Sequence, residues 1–274
     1  MDDDGSELFK SCMLTVLAAI TCNNDNLNSG MFNKISVCGI VLQHEGFMEV
    51  LQKCIDKQYG CIMFNISCDI LTILVWTKNV KTCRSVIVDI STLVDVITLR
   101  DQEMMVAGMK LLTAIFYTDL TSCAVNISGR IYPNTFRTLY IHLQQICMQD
   151  VREYASNAVQ CMKELISHLY RSDTEQYLGD ELLSQPWNKA LIEIILDLAL
   201  CGSLYSHHLN LFSFFLGTVQ GCIVMKTIPH ITDKLLQLVR MDVFNEDGEM
   251  KESCNEMMRV PLYVTIDLKI IDYS

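Results

Sequence analysis

Residues 150–169, "DVREYASNAVQCMKELISHL", hold the pattern that decides the fold class. Asp150 opens the stretch, where a carboxylate can accept hydrogen bonds from the free N–H groups of a helix start. Ala155 and Ala158 come early, and large apolar residues follow at helical spacing. Because small residues let a neighbouring helix approach closely, the stretch predicts a helix packed tightly against others.

Apolar residues recur at helical spacing along most of the chain. We predict helices over about 6–22, 32–42, 47–57, 61–76, 101–119, 134–148 and 150–169, a short helix within 170–185, and a further helix over 182–202. Residues 79–99 predict one broken helix or two short ones. Their Val and Ile content also permits a strand, which would then stand alone in a helical protein.

The composition sets limits on the class of protein. Half of the 274 residues are hydrophobic, whereas Gly (12) and Pro (4) are scarce, which favours an all-α fold over a β-sandwich with its frequent turns. The net charge is −11, and the sequence has no basic cluster of the kind that binds nucleic acid. We therefore expect protein partners and no direct nucleic-acid contact.

The 13 cysteines lie mostly inside apolar stretches. There is no Cys-x-x-Cys, and Cys54, Cys61 and Cys68 lack histidines at zinc spacing. We expect small buried thiols in a reducing compartment. The acidic opening "MDDDGSELFK" is unlike a signal or transit peptide.

No familiar catalytic or nucleotide-binding motif occurs, so we expect a protein that is not an enzyme and uses no cofactor or metal. His207 and His208 are neighbours, and we expect them to point to different helix faces and to make a poor metal site. Residues 198–225 lack Asp, Glu, Lys and Arg. We expect a buried helix flanked by turns there and no membrane span.

The first turns of residues 150–169 resemble the second helix of an armadillo or HEAT repeat. The resemblance implies that Asp150 and Arg152 pair between adjacent repeats, while Ala155 and Ala158 form the tight contact between helices. An ordinary amphipathic helix with a charged first turn is the alternative. Asn65, Val106 and Ala155 mark comparable points of three helices, separated by 41 and 49 residues. Such repeats are roughly 40–47 residues long.

The resemblance predicts an all-α fold, a degenerate armadillo/HEAT-like right-handed α-solenoid. The helical-repeat domain is expected over 1–240, with an internal break near 171–185. Residues 241–274 change to an acidic, alternating pattern, "PLYVTIDLKIIDYS" at the end, which predicts a strand-like or disordered non-helical tail.

The helix expected within residues 182–202, "LLSQPWNKALIEIILDLALCG", has clear end signals. Ser184 or Gln185 is the expected cap, Pro186 suits the first turn, and Gly202 suits the stop. Its Pro-Trp-Asn start resembles the meiosis inhibitor protein 1 family, which is armadillo-like and far longer than this chain. That resemblance implies a nuclear scaffold for meiotic double-strand break formation and recombination between homologous chromosomes, with cleavage left to a separate nuclease.

Three functions therefore remain open on the sequence, of which the third is a helical enzyme or membrane protein. The first is a protein-interaction scaffold, with meiotic recombination factors as partners. The second is a cytosolic helical-repeat adaptor in trafficking or signalling. Trp187 is a candidate partner-binding residue, since exposed aromatics often dominate interfaces. The same holds for other aromatic residues, for which packing in the core is the commoner role: Trp76, Phe212, Phe214 and Phe215.

Overall fold

Helices make up most of the structure, which is a computed structural model. It describes residues 3–21, 43–57, 59–76, 86–99, 102–118, 125–127, 133–149, 152–171, 175–201 and 206–240. The predicted helix over 32–42 and the predicted tail over 241–274 lie outside these residues. The chain divides into two compact units, one ending at His168 and one beginning at Leu169. Each unit is described by itself.

The first unit begins with three helices: α1 (Asp3–Thr21), α2 (Glu45–Ile55) and α3 (Cys61–Trp76). The bounds of α3 agree with the sequence prediction of 61–76. His44 caps α2, because its Nδ1 accepts a hydrogen bond from the backbone N–H of Phe47 at 3.2 Å. Both α1 and α2 pack against α3, which is therefore buried along much of its length.

One of two short strands lies in the segment over 79–99, which the sequence left ambiguous. β1 (Val86–Val88) and β2 (Val125–Ile127) pair in parallel, with Ile87 opposite Asn126. The expectation that a strand here would stand alone is therefore wrong. It failed because parallel strands are joined through a long connection, and the partner of β1 is far away in the sequence.

A side chain occupies the second edge of β1. The amide of Gln52, on α2, accepts from the N–H of Ile87 at 2.7 Å and donates to the carbonyl of Ile87 at 2.9 Å. A side-chain amide offers the same donor and acceptor as a peptide group, so Gln52 takes the place of a neighbouring strand.

Each strand is followed by two helices. After β1 come α4 (Ile90–Thr98) and α5 (Gln102–Tyr117), and after β2 come α6 (Pro133–Cys147) and α7 (Arg152–Arg171). The Asp89 carboxylate caps α4 by accepting from the N–H of Ser91 at 2.9 Å. α4 packs against both α5 and α6. The predicted broken helix over 79–99 is thus a strand and one helix in its described part.

The long helices α3 and α5 run parallel, side by side. At their starts, the Cys61 thiol donates to the Glu103 carboxylate, with Sγ 2.9 Å from Oε2. At their ends, the rings of Trp76 and Tyr117 lie 4.7 Å apart. Because the starts of the two helices contact each other and their ends do the same, α3 and α5 run in the same direction.

The α5 and α7 helices also run in the same direction. The Thr113 hydroxyl hydrogen-bonds the Cys161 thiol, and further along both helices the Phe116 ring lies 5.5 Å from the ring of His168. Phe116 also contacts Phe136 of α6 at 6.2 Å between ring centroids. In the first unit α5 therefore contacts α3, α4, α6 and α7.

The two alanines singled out in the sequence are fully buried on α7. Ala155 and Ala158 have no exposed surface. Arg152 is the first residue of α7, but only its backbone is described. Asp150 lies outside the described residues. The pairing of Asp150 with Arg152 between repeats therefore stays a prediction.

Replacing Ala158 with leucine tests how closely α7 is packed. We expect Ala158→Leu to lower the free energy of unfolding by about 1–3 kcal/mol, because added methylenes force neighbours in a full core apart. Urea unfolding measures the loss. Ser156→Leu adds the same side chain at an exposed position of the same helix and serves as the control. Equal stability of the two variants would show that Ala158 faces spare room.

The second unit consists of five described helices: α8 (Gln176–Ser184), α9 (Pro186–Leu200), α10 (Ser206–Leu216), α11 (Val219–Lys226) and α12 (Ile231–Arg240). α9 packs against α10, α11 and α12, and α11 packs against α8. The Lys234 ammonium lies 2.7 Å from the Asp197 carboxylate and links α12 to α9.

Gly221 allows α11 to begin directly after α10. A Cβ atom at this position would lie 2.0 Å from the carbonyl oxygen of Phe215, which no side chain can tolerate. Thr218 caps α11 by accepting from the N–H of Gly221 at 3.1 Å. The predicted single buried segment over 198–225 is therefore divided between the described helices α10 and α11 by a close turn.

Of the two predicted caps of α9, Gln185 directly precedes the helix, and its carbonyl accepts from the N–H of Asn188 at 3.0 Å. The Ser184 hydroxyl donates to the carbonyl of Glu181, so it belongs to the end of α8. Asn188 is fully buried, and its Nδ2 donates to the carbonyls of Leu182 at 2.7 Å and Leu183 at 2.8 Å. It thus satisfies carbonyls at the end of α8 that have no partner within the helix. Pro186 is the first residue of α9, as predicted.

Loss of the Asn188 amide should destabilise the second unit. We expect Asn188→Leu to lower the free energy of unfolding by about 1–3 kcal/mol, since the two buried carbonyls lose their donor. Thermal and urea unfolding measure the change. Asn210→Leu, at an exposed asparagine of α10, is the matched control. An Asn188 variant as stable as that control would contradict a bridging role for this amide.

Candidate interaction surface

One side of the α3 and α5 pair carries the exposed and partly exposed side chains of both helices. We call it the α3–α5 face. Its residues are at least partly exposed and recur every three or four positions, as the solvent-facing side of a helix requires. They are Ile62, Asn65, Asp69, Thr72 and Trp76 on α3, and Glu103, Val106, Lys110, Thr113 and Tyr117 on α5.

The two rows of the face are in register. Each member of the α3 row has a counterpart 41 positions later on α5, from Ile62 and Glu103 at one end to Trp76 and Tyr117 at the other. The register follows from contacts at the start, the middle and the end of the two helices. The α3–α5 face is therefore a continuous surface, two helices wide.

At its first end, the face is pinned by polar contacts. The Asn65 amide donates to the backbone carbonyl of Glu103 at 2.5 Å. The Glu103 carboxylate accepts from the Cys61 thiol, and this hydrogen bond, together with partial burial, raises the pKa of Cys61. The thiol is therefore held in its protonated, less nucleophilic form.

In the middle of the face, Asp69 lies close to Lys110. Burial raises the pKa of Asp69, and the nearby Lys110 ammonium opposes that rise without cancelling it. The attraction between these opposite charges favours the pairing of α3 with α5, and a partly desolvated carboxylate remains at the centre of the surface. Such a group recovers part of its lost hydration if a partner supplies a donor.

At its second end, the face presents two aromatic rings. The exposed fractions of Trp76 and Tyr117 are 46% and 45%, and their planes make an angle of 41°. Aromatic side chains that remain half-exposed while in contact with each other retain area that a partner can cover.

The aromatic residues named from the sequence divide into two groups. Phe212, Phe214 and Phe215 are buried, which confirms that they pack in the core. Trp187, at the start of α9, is 39% exposed, and Ile194 is exposed further along the same helix. Trp187 therefore remains a candidate partner-binding residue in the second unit. Tyr117 was missed, although its 41-residue offset from Trp76 was visible in the sequence.

Two buried thiols and a pair of neighbouring histidines lie outside the α3–α5 face. Burial raises the pKa of Cys161 to about 12 and that of Cys147 further, so both are thiols at neutral pH. His207 and His208 are both buried with ring centroids 4.1 Å apart, so the expectation that they point to different faces is wrong. Within the described residues, no three His, Cys, Asp or Glu side chains are grouped to hold a metal ion.

None of the helices described here combines the length and the apolar character that a membrane crossing requires.

Comparison with known proteins finds no family model, no curated protein and no solved structure that matches this chain. The function must therefore be argued from the residues themselves.

Because the pKa of Asp69 is raised, we expect that removing its charge stabilises the fold at neutral pH but not at acidic pH. A carboxyl group with a raised pKa in the folded state costs stability while it is ionised, and that cost disappears as pH falls through its pKa. We expect Asp69→Asn to raise the urea midpoint near neutral pH and to lose this advantage toward about pH 4, near the ordinary value for aspartate. Asp95→Asn, at an exposed carboxylate of α4, is the control. A lower midpoint for Asp69→Asn at neutral pH would show that the attraction of Lys110 outweighs burial.

Proposed function

We propose that this protein is a non-enzymatic interaction scaffold built from degenerate armadillo/HEAT-like helical repeats, and that the α3–α5 face binds its partner. The observation that carries the proposal is the parallel, in-register pairing of α3 and α5 at an offset of 41 residues. Equivalent helices of consecutive repeats in a solenoid lie side by side and point the same way.

The strands and shorter helices support the same repeat. β1, α4 and α5 form one strand–helix–helix segment, and β2, α6 and α7 form the next. Like elements contact each other: β1 pairs with β2, α4 packs against α6, and α5 contacts α7. Paired strand residues are 39 positions apart, as with Val86 and Val125. The changing offset, 39 for the strands and 48 between Thr113 and Cys161, favours irregular repeats.

The chemistry of the α3–α5 face suits a protein partner. It combines half-exposed aromatic and aliphatic side chains with a central pair of opposite charges, a mixture typical of protein interfaces. The protonated thiol of Cys61 and the carboxylate of Asp69 do not provide a nucleophile with a general base beside it. Binding is therefore the activity that these residues support best.

We propose meiotic double-strand break formation as the process that the scaffold serves, in the nucleus. The support is the Pro186–Asn188 start of α9, which resembles that of the meiosis inhibitor protein 1 family. The half-exposed Trp187 in this segment is accessible to a partner. A cytosolic adaptor in trafficking or signalling is the alternative function for the same architecture.

Site-directed photo-crosslinking tests whether the α3–α5 face binds a partner. A photoreactive phenylalanine analogue replaces Ile62 or Lys110 on the face, and Lys53 or Asp95 on other exposed helix surfaces of the first unit. We expect the two face positions to capture the same protein from a native tissue extract and the two control positions not to capture it. Equal capture at all four positions, or none at the face, would refute the proposed site.

The identity of the captured protein separates the two functions. Recombination factors captured from meiotic tissue would support the nuclear scaffold, whereas trafficking or signalling proteins would support the adaptor. Trp187→Ala, tested in the same extract, shows whether the second unit contributes to capture.

A further inference from the structure

The Trp76–Tyr117 pair lies where two helices end together. Trp76 is the last residue of α3 and Tyr117 the last of α5, and the rings are in contact at 4.7 Å. Because side chains of a helix lean toward its N-terminus, both rings lie over the last turns of their helices. The pair therefore combines aromatic surface with the ends of two parallel helix dipoles.

Both sources of potential at this point are negative. The C-terminal end of a helix carries a partial charge of about −0.5, and aromatic faces are electron-rich. The last turns of α3 and α5, which the structure describes completely, contain no Lys or Arg. The negative ends of the two helices are thus not neutralised from within the helices themselves.

A cation is the group that this arrangement attracts. Cations bind over the faces of Trp and Tyr, and they also bind favourably at helix C-termini. A planar guanidinium stacks on aromatic rings and is less strongly hydrated than an ammonium, so arginine suits such a site better than lysine. The net charge of −11 further favours a basic partner.

We infer that the Trp76–Tyr117 pair receives an arginine side chain of a basic segment in a partner protein. The inference rests on the proposed function, since it names the chemistry of the partner that the α3–α5 face binds. Arginine enters over the exposed sides of the two rings, and its charge is attracted to the ends of α3 and α5.

The chain itself contains three competing cations shortly after Trp76 in the sequence. Lys78, Lys81 and Arg84 lie outside the described residues. If one of these side chains covered the rings, a partner's arginine would be excluded or would have to displace it. The experiment therefore includes a triple variant that replaces Lys78, Lys81 and Arg84 with alanine.

The experiment uses the full chain with Trp187→Phe, which leaves Trp76 as its one tryptophan. The probe is a fluorescein-labelled peptide of alternating arginine and glycine. Peptides with lysine or glutamate in place of arginine are the comparisons. Anisotropy gives the affinity, and the emission of Trp76, followed with unlabelled peptide, reports binding at the site. We expect the arginine peptide to bind more tightly than the lysine peptide and to change the Trp76 emission, and the glutamate peptide not to bind.

Three variants of the natural chain distinguish a cation–π site from a merely apolar surface. Trp76→Leu keeps apolar area but removes the ring face, and we expect about a tenfold loss of affinity. Tyr117→Phe keeps the ring and should bind as well as the natural protein. Tyr177→Ala removes an exposed aromatic ring of α8 that belongs to neither candidate site and should leave the affinity unchanged. Circular dichroism confirms that each variant is folded.

Unchanged affinity in Trp76→Leu, or equal binding of the glutamate peptide, would overturn the inference. So would a change of Trp76 emission that appears in the triple alanine variant but not on addition of peptide, because the rings would then be covered by a cation of the chain itself. These failures leave the photo-crosslinking result unaffected. If photo-crosslinking at Ile62 and Lys110 captures a partner but arginine peptides do not bind, the proposed scaffold function stands and only the arginine recognition is refuted.

Discussion

The parallel contact between α3 and α5 is the constraint on which the first unit depends. The helices meet at their starts through Cys61 and Glu103 and at their ends through Trp76 and Tyr117. Two successive helices joined by a short loop are usually antiparallel neighbours. A parallel pair requires the chain to return to its starting level between them, and β1 and α4 provide that return.

The strand pair shows how the return is held without a full sheet. β1 has β2 on one edge and the Gln52 amide on the other, so the backbone groups of Ile87 are satisfied by a side chain. An unpaired strand edge invites association with other chains. Gln52 prevents this at the cost of one side-chain amide, and it fixes α2 beside β1 at the same time.

Much of the fold follows from local patterns in the sequence. The spacing of apolar residues located most described helices to within a few positions, and the bounds of α3 were predicted correctly. The offset of 41 between Asn65 and Val106 also anticipated the register of α3 and α5. The strand pairing and the role of Gln52 could not be predicted, because they join residues that are 35 or more positions apart. The contact between His207 and His208 was missed because spacing rules describe helix faces and not the rotation of individual side chains.

The sequence by itself determined that the chain is mostly helical, that Phe212, Phe214 and Phe215 pack in the core, and that its charge favours a basic partner. These properties depend on composition and on periodicity over one or two helical turns. Only the tertiary structure decided that Trp76 and Tyr117 form one surface and that Asn188 joins α8 to α9. Those outcomes depend on which helices become neighbours and on the direction in which each one runs, and no local pattern encodes either.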